Sequence, residues 1–320
     1  MGKKKIEKTV RELNKLTGLN FQLDLSEIDD TDEAVIRLEQ IVDSWKEKNS
    51  KNAYWRRLLT GELEEDEMMA GAARFHVRID ERRALYIVET PRKDNEVAVD
   101  ILRQLFVVRT NDLVIGVDGR RIALVRTLKD KENLEEIRQT ALTIVDMLNA
   151  EALIRVRVAY ADPAGSLEKM PKMFREAETA LEIGRIFYMN ENIVCYNSLG
   201  IGRLIYRIPT DTCRRFLTEV YGSDTPVELD EETRSTIDTF FAHNLNVSET
   251  ARRLFVHRNT LVYRLEKLRQ LTGLDIRTFD DAMTFRIASM VVEYLRERDS
   301  RNVGDGQTAF CPQEHARLQA

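Results

Sequence analysis

Apolar residues recur along this chain with two different periods, and the period changes from one region to the next. At residues 3–16 and 31–48 they follow the 3.6-residue spacing of an amphipathic helix. Between residues 84 and 196, short apolar runs typical of buried strands alternate with helical segments in the order β-α-β-β-α-β. After residue 233 the pattern is helical. The fold class predicted is therefore α+β, with a ferredoxin-like middle domain and an all-α C-terminal domain.

Breaks in these patterns divide the chain into four predicted parts. Residues 1–60 form a helical segment that is a candidate for dimerisation, and residues 61–222 form the α/β domain, which ends in one helix over residues 204–221. Residues 223–298 form the C-terminal domain. Residues 299–320 have no period and few apolar positions, which is typical of a disordered tail.

The most informative stretch lies in the C-terminal domain, from Asn246 to Leu274, and reads NVSETARRLFVHRNTLVYRLEKLRQLTGL. It predicts two short helices joined by a tight turn at residues 255–257, although that turn holds no glycine. Asn246 is a good N-cap for the first helix, with Glu249 three residues later as in a capping box. This is the build of a helix-turn-helix, which lays its second helix in the major groove of DNA.

The second helix is predicted to begin near Arg258 and to have one buried side. Leu261, Leu265 and Leu268 recur at i, i+4 and i+7, which gives a single apolar stripe. Gly273 can take the left-handed position that ends a helix, with Leu274 folding back on the last turn. The opposite face of this helix is polar and basic.

The residues predicted to bind DNA lie mainly on that polar face. Asn259 is suited to bidentate bonding to adenine and Arg258 to guanine. Thr260 and Tyr263 are candidates for contact with a thymine methyl group or a phosphate. The predicted phosphate clamps, which fix register without reading sequence, are Arg252, Arg253, Arg264 and Lys267. His257 is interpreted as a turn residue or phosphate contact, and Ser248 completes the predicted set.

Charge favours the same interpretation. Between Ser248 and Thr272 there are six arginine or lysine residues and two glutamates, whereas the whole chain carries −5 at pH 7. A positive island on an acidic protein is a plausible electrostatic footprint for nucleic acid. The plain alternative is a solvated amphipathic helix pair with ordinary surface arginines.

Other chemistry is little indicated by the sequence. Cys195, Cys213 and Cys311 lie far apart, which is typical of free thiols in a reducing cytoplasm. The four histidines form no metal-binding spacing, so neither a metal nor a cofactor is predicted. No apolar run approaches the length needed to span a bilayer, so no membrane association is predicted.

The stretch NVSETARRLFVHRNTLVYRLEKLRQLTGLDI closely resembles the C-terminal helix-turn-helix of the PucR/CdaR family of bacterial transcriptional regulators. The elements that match are Thr250-Ala251, residues 257–261 and Tyr263-Arg264-Leu265. Family members carry a degenerate relative of the GGDEF nucleotide-cyclase domain before it. The segment from Phe174 to Gly184, FREAETALEIG, is similar to the characteristic helix of that domain. The resemblance implies this fold and a regulatory function for roughly residues 55–298.

The central hairpin departs from a working cyclase. Asp118-Gly119 between two strands predicts a type I′ turn, and the hairpin reads GVDGRRI where a cyclase carries its glycines and metal-binding carboxylates. Arg120 and Arg121 stand where acidic residues are needed, and cations there would repel Mg²⁺. We therefore expect no cyclase activity. Both arginines are candidates for binding an anionic ligand or partner, and the alternative is that they are simply solvated.

The leading hypothesis is a cytoplasmic, sequence-specific transcriptional regulator, an activator that binds double-stranded DNA. A homodimer or higher homo-oligomer is expected because one helix-turn-helix reads only a half-site. A small-molecule effector is left open, with sugar diacids and purine metabolites both guesses from the family name. The alternative is a divergent nucleotide-cyclase-like enzyme with an appended DNA-binding domain. A third is an interaction protein whose basic helix binds a protein partner.

Overall fold

The computed structural model describes residues 2–17, 19–23, 31–91, 95–107, 112–129, 132–222 and 229–306. The chain folds as two compact units. The N-terminal unit comprises residues 1–181 and 190–198, and the C-terminal unit comprises residues 182–189 and 199–320. Residues 199–222, assigned from the sequence to the middle domain, therefore group with the C-terminal unit.

A five-stranded sheet lies at the centre of the N-terminal unit. Its strands are β1 Arg83–Glu89, β2 Leu113–Gly116, β3 Arg121–Thr127, β4 Arg157–Tyr160 and β5 Ile193–Cys195. They lie in the order β2-β3-β1-β4-β5. All neighbouring pairs are antiparallel except β4 and β5, which run parallel. The first four strands have the predicted ferredoxin-like order, and β5 adds a fifth beside β4.

The helices of the N-terminal unit precede the sheet and connect its strands. They are α1 Gly2–Thr17, α2 Thr31–Lys48, α3 Lys51–Thr60, α4 Glu65–Arg74, α5 Glu96–Leu102, α6 Leu134–Ala152 and α7 Met170–Phe187, the last of which continues into residues of the C-terminal unit. α5 and α6 cover one face of the sheet, where Leu102, Ile144 and Leu148 are fully buried. Tyr86 on β1 belongs to the same core and donates a hydrogen bond to the Ile137 carbonyl oxygen at 3.1 Å. β1 is buried on both faces, which explains its continuous apolar run.

The apolar patch at residues 54–59 is part of the core of the N-terminal unit. Tyr54, Trp55, Leu58 and Leu59 are all buried on α3. The Tyr54 hydroxyl donates to the Met68 carbonyl oxygen at 2.9 Å, which joins α3 to α4. The patch lies within the segment predicted as a candidate for dimerisation, but its side chains belong to the core.

Six helices make up most of the C-terminal unit. They are α8 Ile201–Ile205, α9 Thr210–Tyr221, α10 Glu231–Ala242, α11 Val247–Arg253, α12 Arg258–Thr272 and α13 Phe279–Gly306. The prediction of one helix over residues 204–221 was wrong. Pro209 separates α8 from α9, because proline disfavours helical backbone at the residue before it.

α13 runs beyond its predicted end. Residues 299–306 are helical and therefore do not belong to a disordered tail, whereas residues 307–320 lie outside the described part of the chain. Contacts at residues 298 and 299 hold the start of this extension. The Arg298 guanidinium lies over the rings of Tyr206 and Tyr294 at 5.2 and 5.4 Å. Arg214 and Asp299 form an ion pair at 2.7 Å.

Candidate nucleic-acid interface

α11 begins and ends with local signals that the sequence displays. The Asn246 side chain accepts hydrogen bonds from the backbone N–H of Ser248 at 3.0 Å and of Glu249 at 3.1 Å, which confirms the predicted N-cap. The expected capping box is incomplete. The Glu249 carboxylate bonds Arg252, and the Asn246 N–H donates to the His243 carbonyl oxygen instead.

The turn between α11 and α12 forms without glycine. Phe255 takes the left-handed conformation, with φ of +54°, and its side chain is 95% exposed. Val256 follows and packs, half-buried, against the core of the domain. A non-glycine residue in this conformation is uncommon and costs free energy. The turn is therefore set by the packing on either side of it rather than by its own preference.

α12 starts at Arg258, as predicted, and is capped by the residue before it. Nδ1 of His257 accepts a hydrogen bond from the Asn259 N–H at 3.2 Å, so His257 is the N-cap of α12. At the other end, Gly273 has φ of +77° and donates to the Arg269 carbonyl oxygen at 2.8 Å, which confirms the predicted stop. These two caps fix where the helix presents its side chains.

One side of α12 is buried in the core that α10, α11 and α13 share. Leu261, Leu265 and Leu268 are at most 2% exposed, which confirms the predicted stripe. Their cluster includes Phe240 of α10 and Phe285 of α13. The orientation of α12 about its own axis is thereby fixed, and its opposite side faces solvent.

The exposed part of α12 carries five of the ten predicted DNA-binding residues. Arg258, Asn259 and Thr260 form its first turn, and all three are exposed. Tyr263 follows one turn later with 70% of its surface exposed. Lys267 lies a further turn on, 3.9 Å from the Asp230 carboxylate, and its side chain keeps 53% exposure. The structure thus leaves all five side chains exposed on α12.

The predicted phosphate-binding residues of α11 are all exposed but differ in whether they form an ion pair. Ser248, Arg252 and Arg253 are all exposed. Arg252 forms an ion pair with Glu249 one turn earlier, whereas Arg253 has no acidic partner among the described residues. Arg253 is therefore the more available cation on this helix.

Arg264 lies elsewhere than the prediction placed it. Its guanidinium donates to the Thr236 hydroxyl at 3.2 Å and forms an ion pair with Glu232, both on α10. Only 22% of the side chain is exposed. Arg264 thus joins α12 to α10 instead of pointing to solvent as a phosphate clamp would.

A second arginine that the sequence did not single out braces the far end of α12. Arg277 donates to Asp275 at 2.6 Å and to Glu266 of α12 at 2.8 Å. The hydrogen bond from Arg277 also lowers the pKa of the Asp275 carboxyl below its usual range. This bridge links the segment after α12 to the helix itself.

The two arginines of the central hairpin, Arg120 and Arg121, differ in their contacts. Neither Asp118 nor Gly119 has positive φ, so the predicted type I′ turn was wrong. Instead the Asp118 carboxylate accepts from the backbone N–H of Arg120 and Arg121 at 2.8 and 2.9 Å. Partial burial acts to raise the pKa of Asp118, but these hydrogen bonds and the Arg121 guanidinium outweigh it and lower that pKa. Arg121 also pairs with Glu178, so only Arg120 presents an exposed, uncommitted guanidinium.

No group of three or more His, Cys, Asp or Glu side chains among the described residues is placed to hold a metal ion. No helix in that part of the chain combines the length and apolar character needed to cross a bilayer.

Comparison with known proteins identifies both domains. Residues 233–291 match the PucR C-terminal helix-turn-helix domain, and residues 60–183 match the GGDEF-like domain. The chain is 31% identical over 122 residues to the purine catabolism regulatory protein of Bacillus subtilis, covering 37% of this chain and 23% of that protein. It is 24% identical to the carbohydrate diacid regulator of Escherichia coli, covering 64% and 49% of the two chains. It is 22% identical to the DNA-binding transcriptional activator AdeR of Bacillus subtilis, covering 77% and 60%. The chain thus matches less than two thirds of the length of each relative.

Proposed function

We propose that this chain, a member of the PucR/CdaR family by its GGDEF-like and helix-turn-helix domains, is a cytoplasmic, sequence-specific DNA-binding transcriptional regulator. The observation that supports this most strongly is the first turn of α12. Arg258, Asn259 and Thr260 are exposed there, while the leucines of the opposite face hold the helix in place. The N-terminal residues of a recognition helix are those that reach base edges in the major groove.

The side chains divide into two roles. Asn259 and Arg258 have the donors and acceptors to bond adenine and guanine edges, respectively. Arg253 and Lys267 flank them and serve as phosphate contacts, which position the helix without reading sequence. Because phosphate contacts displace counterions, binding should weaken as the salt concentration rises.

We further propose that the regulator acts as a homodimer or higher homo-oligomer. A single helix-turn-helix reads only one half-site. The helix α2 supplies a candidate contact surface for a second copy, since Ile41 and Trp45, one turn apart, are 51% and 37% exposed. Sedimentation equilibrium of the full chain should give a dimer mass, and Ile41→Asp should shift it towards the monomer mass.

An enzymatic role for the GGDEF-like domain is disfavoured. The named relatives above are regulators and an activator. In this chain Arg121 occupies the hairpin and pairs with Asp118 and Glu178, which places a cation where a cyclase needs metal-binding carboxylates. Magnesium-dependent turnover of a nucleoside triphosphate by the purified chain would support the divergent-cyclase alternative.

The test is binding of the full chain to DNA upstream of its own gene and neighbouring genes, across a salt series with unrelated DNA as competitor. We expect a protected site with two-fold symmetry. Asn259→Ala should reduce affinity for that site by ~1–3 kcal/mol, the scale of one bidentate base contact, and relax its sequence preference. Gln270→Ala is the matched control, because it removes an exposed amide from the other end of α12.

Equal losses in the two variants, or affinity no greater than for competitor DNA, would contradict the assignment of base contacts to Asn259. Transcription of the adjacent genes from a reporter decides the direction of regulation. An activator, as the name of one relative suggests, should raise transcription when the protected site is intact.

A further inference from the structure

The C-terminal unit contains a cleft that the DNA-binding role does not use. It lies between α10 and α13, and its volume is about 160 Å³. Its apolar walls come from Ile237 and Phe241 of α10 and from Phe285 and Val292 of α13. An engineered cavity of ~150 Å³ holds benzene, so this cleft is large enough for one six-membered ring.

Five charged side chains line the same cleft. Arg234 and Asp238 come from α10, and Arg286, Glu293 and Arg296 come from α13. Three positive and two negative groups leave a net charge of +1. Among the described residues, none of these three guanidiniums forms an ion pair at contact distance, although all three act electrostatically on Glu293. Arginines that line a cleft without a contact ion pair are available to an anion from outside.

Two of the arginines are held in position by contacts that leave their terminal donors available. Nε of Arg234 donates to the Leu229 carbonyl oxygen at 3.0 Å. The Arg286 guanidinium lies over the Phe241 ring, 5.8 Å from its centroid. The cleft therefore offers an aromatic wall with a guanidinium beside it, which suits a flat ring carrying a negative group.

The two carboxylates of the cleft act against a bound anion, and the three arginines outnumber them. Partial burial first, and then the charge of Asp238, raise the pKa of Glu293, although Arg286, Arg296 and Arg234 act in the opposite direction. Glu293 as a whole stays exposed. The rise in its pKa therefore comes from the atoms of the cleft wall that shield the carboxylate from water on one side, and not from full burial. A bound anion would satisfy the arginines, whereas a bound cation would have to compete with them.

We propose that this cleft is a binding site for a small, flat monocarboxylate whose apolar body is the size of one ring. The ring lies against Phe241 and Phe285, and the carboxylate accepts from Arg286 and Arg296. The site is independent of whether α12 binds DNA, because it uses none of the exposed residues of α12. Its floor nevertheless includes Thr272, the last residue of α12, so occupancy should alter the protection of that helix.

Benzoate is the probe, with benzamide as its neutral isostere and benzylammonium as its cationic counterpart. Isothermal titration of the full chain should detect benzoate with a millimolar or lower Kd, as expected for a ligand of this size. Benzamide should bind about tenfold more weakly, since charge-assisted hydrogen bonds are roughly twice as strong as neutral ones. Hydrogen exchange of α12 peptides should slow when benzoate is present.

Two variants and a control test the assignment of the residues. Arg286→Gln and Arg296→Gln should each weaken benzoate binding about tenfold and leave benzamide binding little changed. Arg215→Gln, which removes an exposed arginine of α9 outside the cleft, should have no effect. Having two separate variants guards against a loss caused by misfolding of one. Undetectable benzoate binding, equal affinity for benzoate and benzamide, or wild-type affinity in both cleft variants would overturn the proposal.

Discussion

Arg264 gives the sharpest test of the structure. Its contacts in the structure predict that replacing it lowers stability, whereas the amino-acid sequence predicts that replacing it weakens DNA binding. The sequence places it among the phosphate clamps, and such a residue would weaken all DNA complexes when removed. The structure instead joins it to Glu232 and Thr236 of α10. We therefore expect Arg264→Ala to loosen α12 while leaving the number of phosphate contacts unchanged.

The size of this effect follows from the two contacts and their exposure. The ion pair is partly solvated, since the Glu232 side chain is 68% exposed, and such pairs contribute ~0.2–1 kcal/mol. The hydrogen bond to buried Thr236 adds ~1 kcal/mol. Loss of Arg264 leaves no orphaned donor, because the Thr236 hydroxyl still donates to the Glu232 carbonyl oxygen at 2.8 Å. The expected destabilisation is thus ~1–2 kcal/mol.

The assay has to report on the C-terminal unit. Both tryptophans, Trp45 and Trp55, lie in the N-terminal unit, so intrinsic fluorescence would follow the wrong part of the chain. Hydrogen exchange measured on α12 peptides of the full chain reports local opening directly. A loss of 1–2 kcal/mol should lower protection roughly 5- to 30-fold. In the double variant with Glu232→Ala, the coupling energy should be ~0.5–1 kcal/mol.

DNA binding supplies the contrast. Arg253→Ala should reduce the slope of log affinity against log salt by about 0.9, as expected for one lost phosphate contact, whereas Arg264→Ala should leave that slope unchanged. Arg264→Lys sharpens the comparison, because lysine can replace arginine at a phosphate but cannot bond two partners with a planar fork. Unchanged α12 exchange together with a shallower slope in Arg264→Ala would refute the structural role and restore the phosphate clamp.

Two further predictions concern the stability of the same unit. Leu265→Ala should cost ~2–5 kcal/mol, because Leu265 is 2% exposed in the shared core, whereas Leu271→Ala on the exposed side of α12 should cost little. Both are read from hydrogen exchange of α12. Glu293 has a raised pKa, so its ionisation opposes folding, and the stability of the unit should fall as pH rises through that pKa. Glu293→Gln should therefore stabilise α13 at pH 7.5 but not below about pH 4, near the ordinary glutamate value.

The features that could be predicted from the sequence are those with local causes. Asn246 starts α11 and Gly273 ends α12 through hydrogen bonds to neighbours within a few residues. The leucine stripe needs only helical spacing. The strand order followed from the alternation of short apolar runs and helices. The same helical spacing predicts that the first turn of α12 is exposed, and the candidate base contacts in that turn are exposed.

The features that were missed depend on partners far away in the sequence or on packing that overrides local preference. Glu232 precedes Arg264 by 32 residues, and no local pattern joins them. Phe255 adopts a left-handed conformation that its own type disfavours, so no turn signal announced it. The hairpin at Asp118 carried a strong type I′ signal, but its carboxylate instead bonds two successive backbone N–H groups. The break between α8 and α9 was also missed, but it has a local cause, because Pro209 is visible in the sequence.

The two faces of α10 connect these observations. Glu232 and Thr236, four residues apart, point to α12, while Arg234, Asp238 and Phe241 line the cleft shared with α13. One helix of 12 residues thus contacts α12 on one side and the ring of the proposed ligand on another. A ligand that shifts α10 would act on α12 through the Arg264 contacts, without involving the GGDEF-like domain. If so, benzoate should slow hydrogen exchange of α12 in the wild type, and Arg264→Ala should reduce that response while leaving benzoate affinity unchanged. An equal response in both proteins would mean that any coupling passes instead through Thr272 or the shared core.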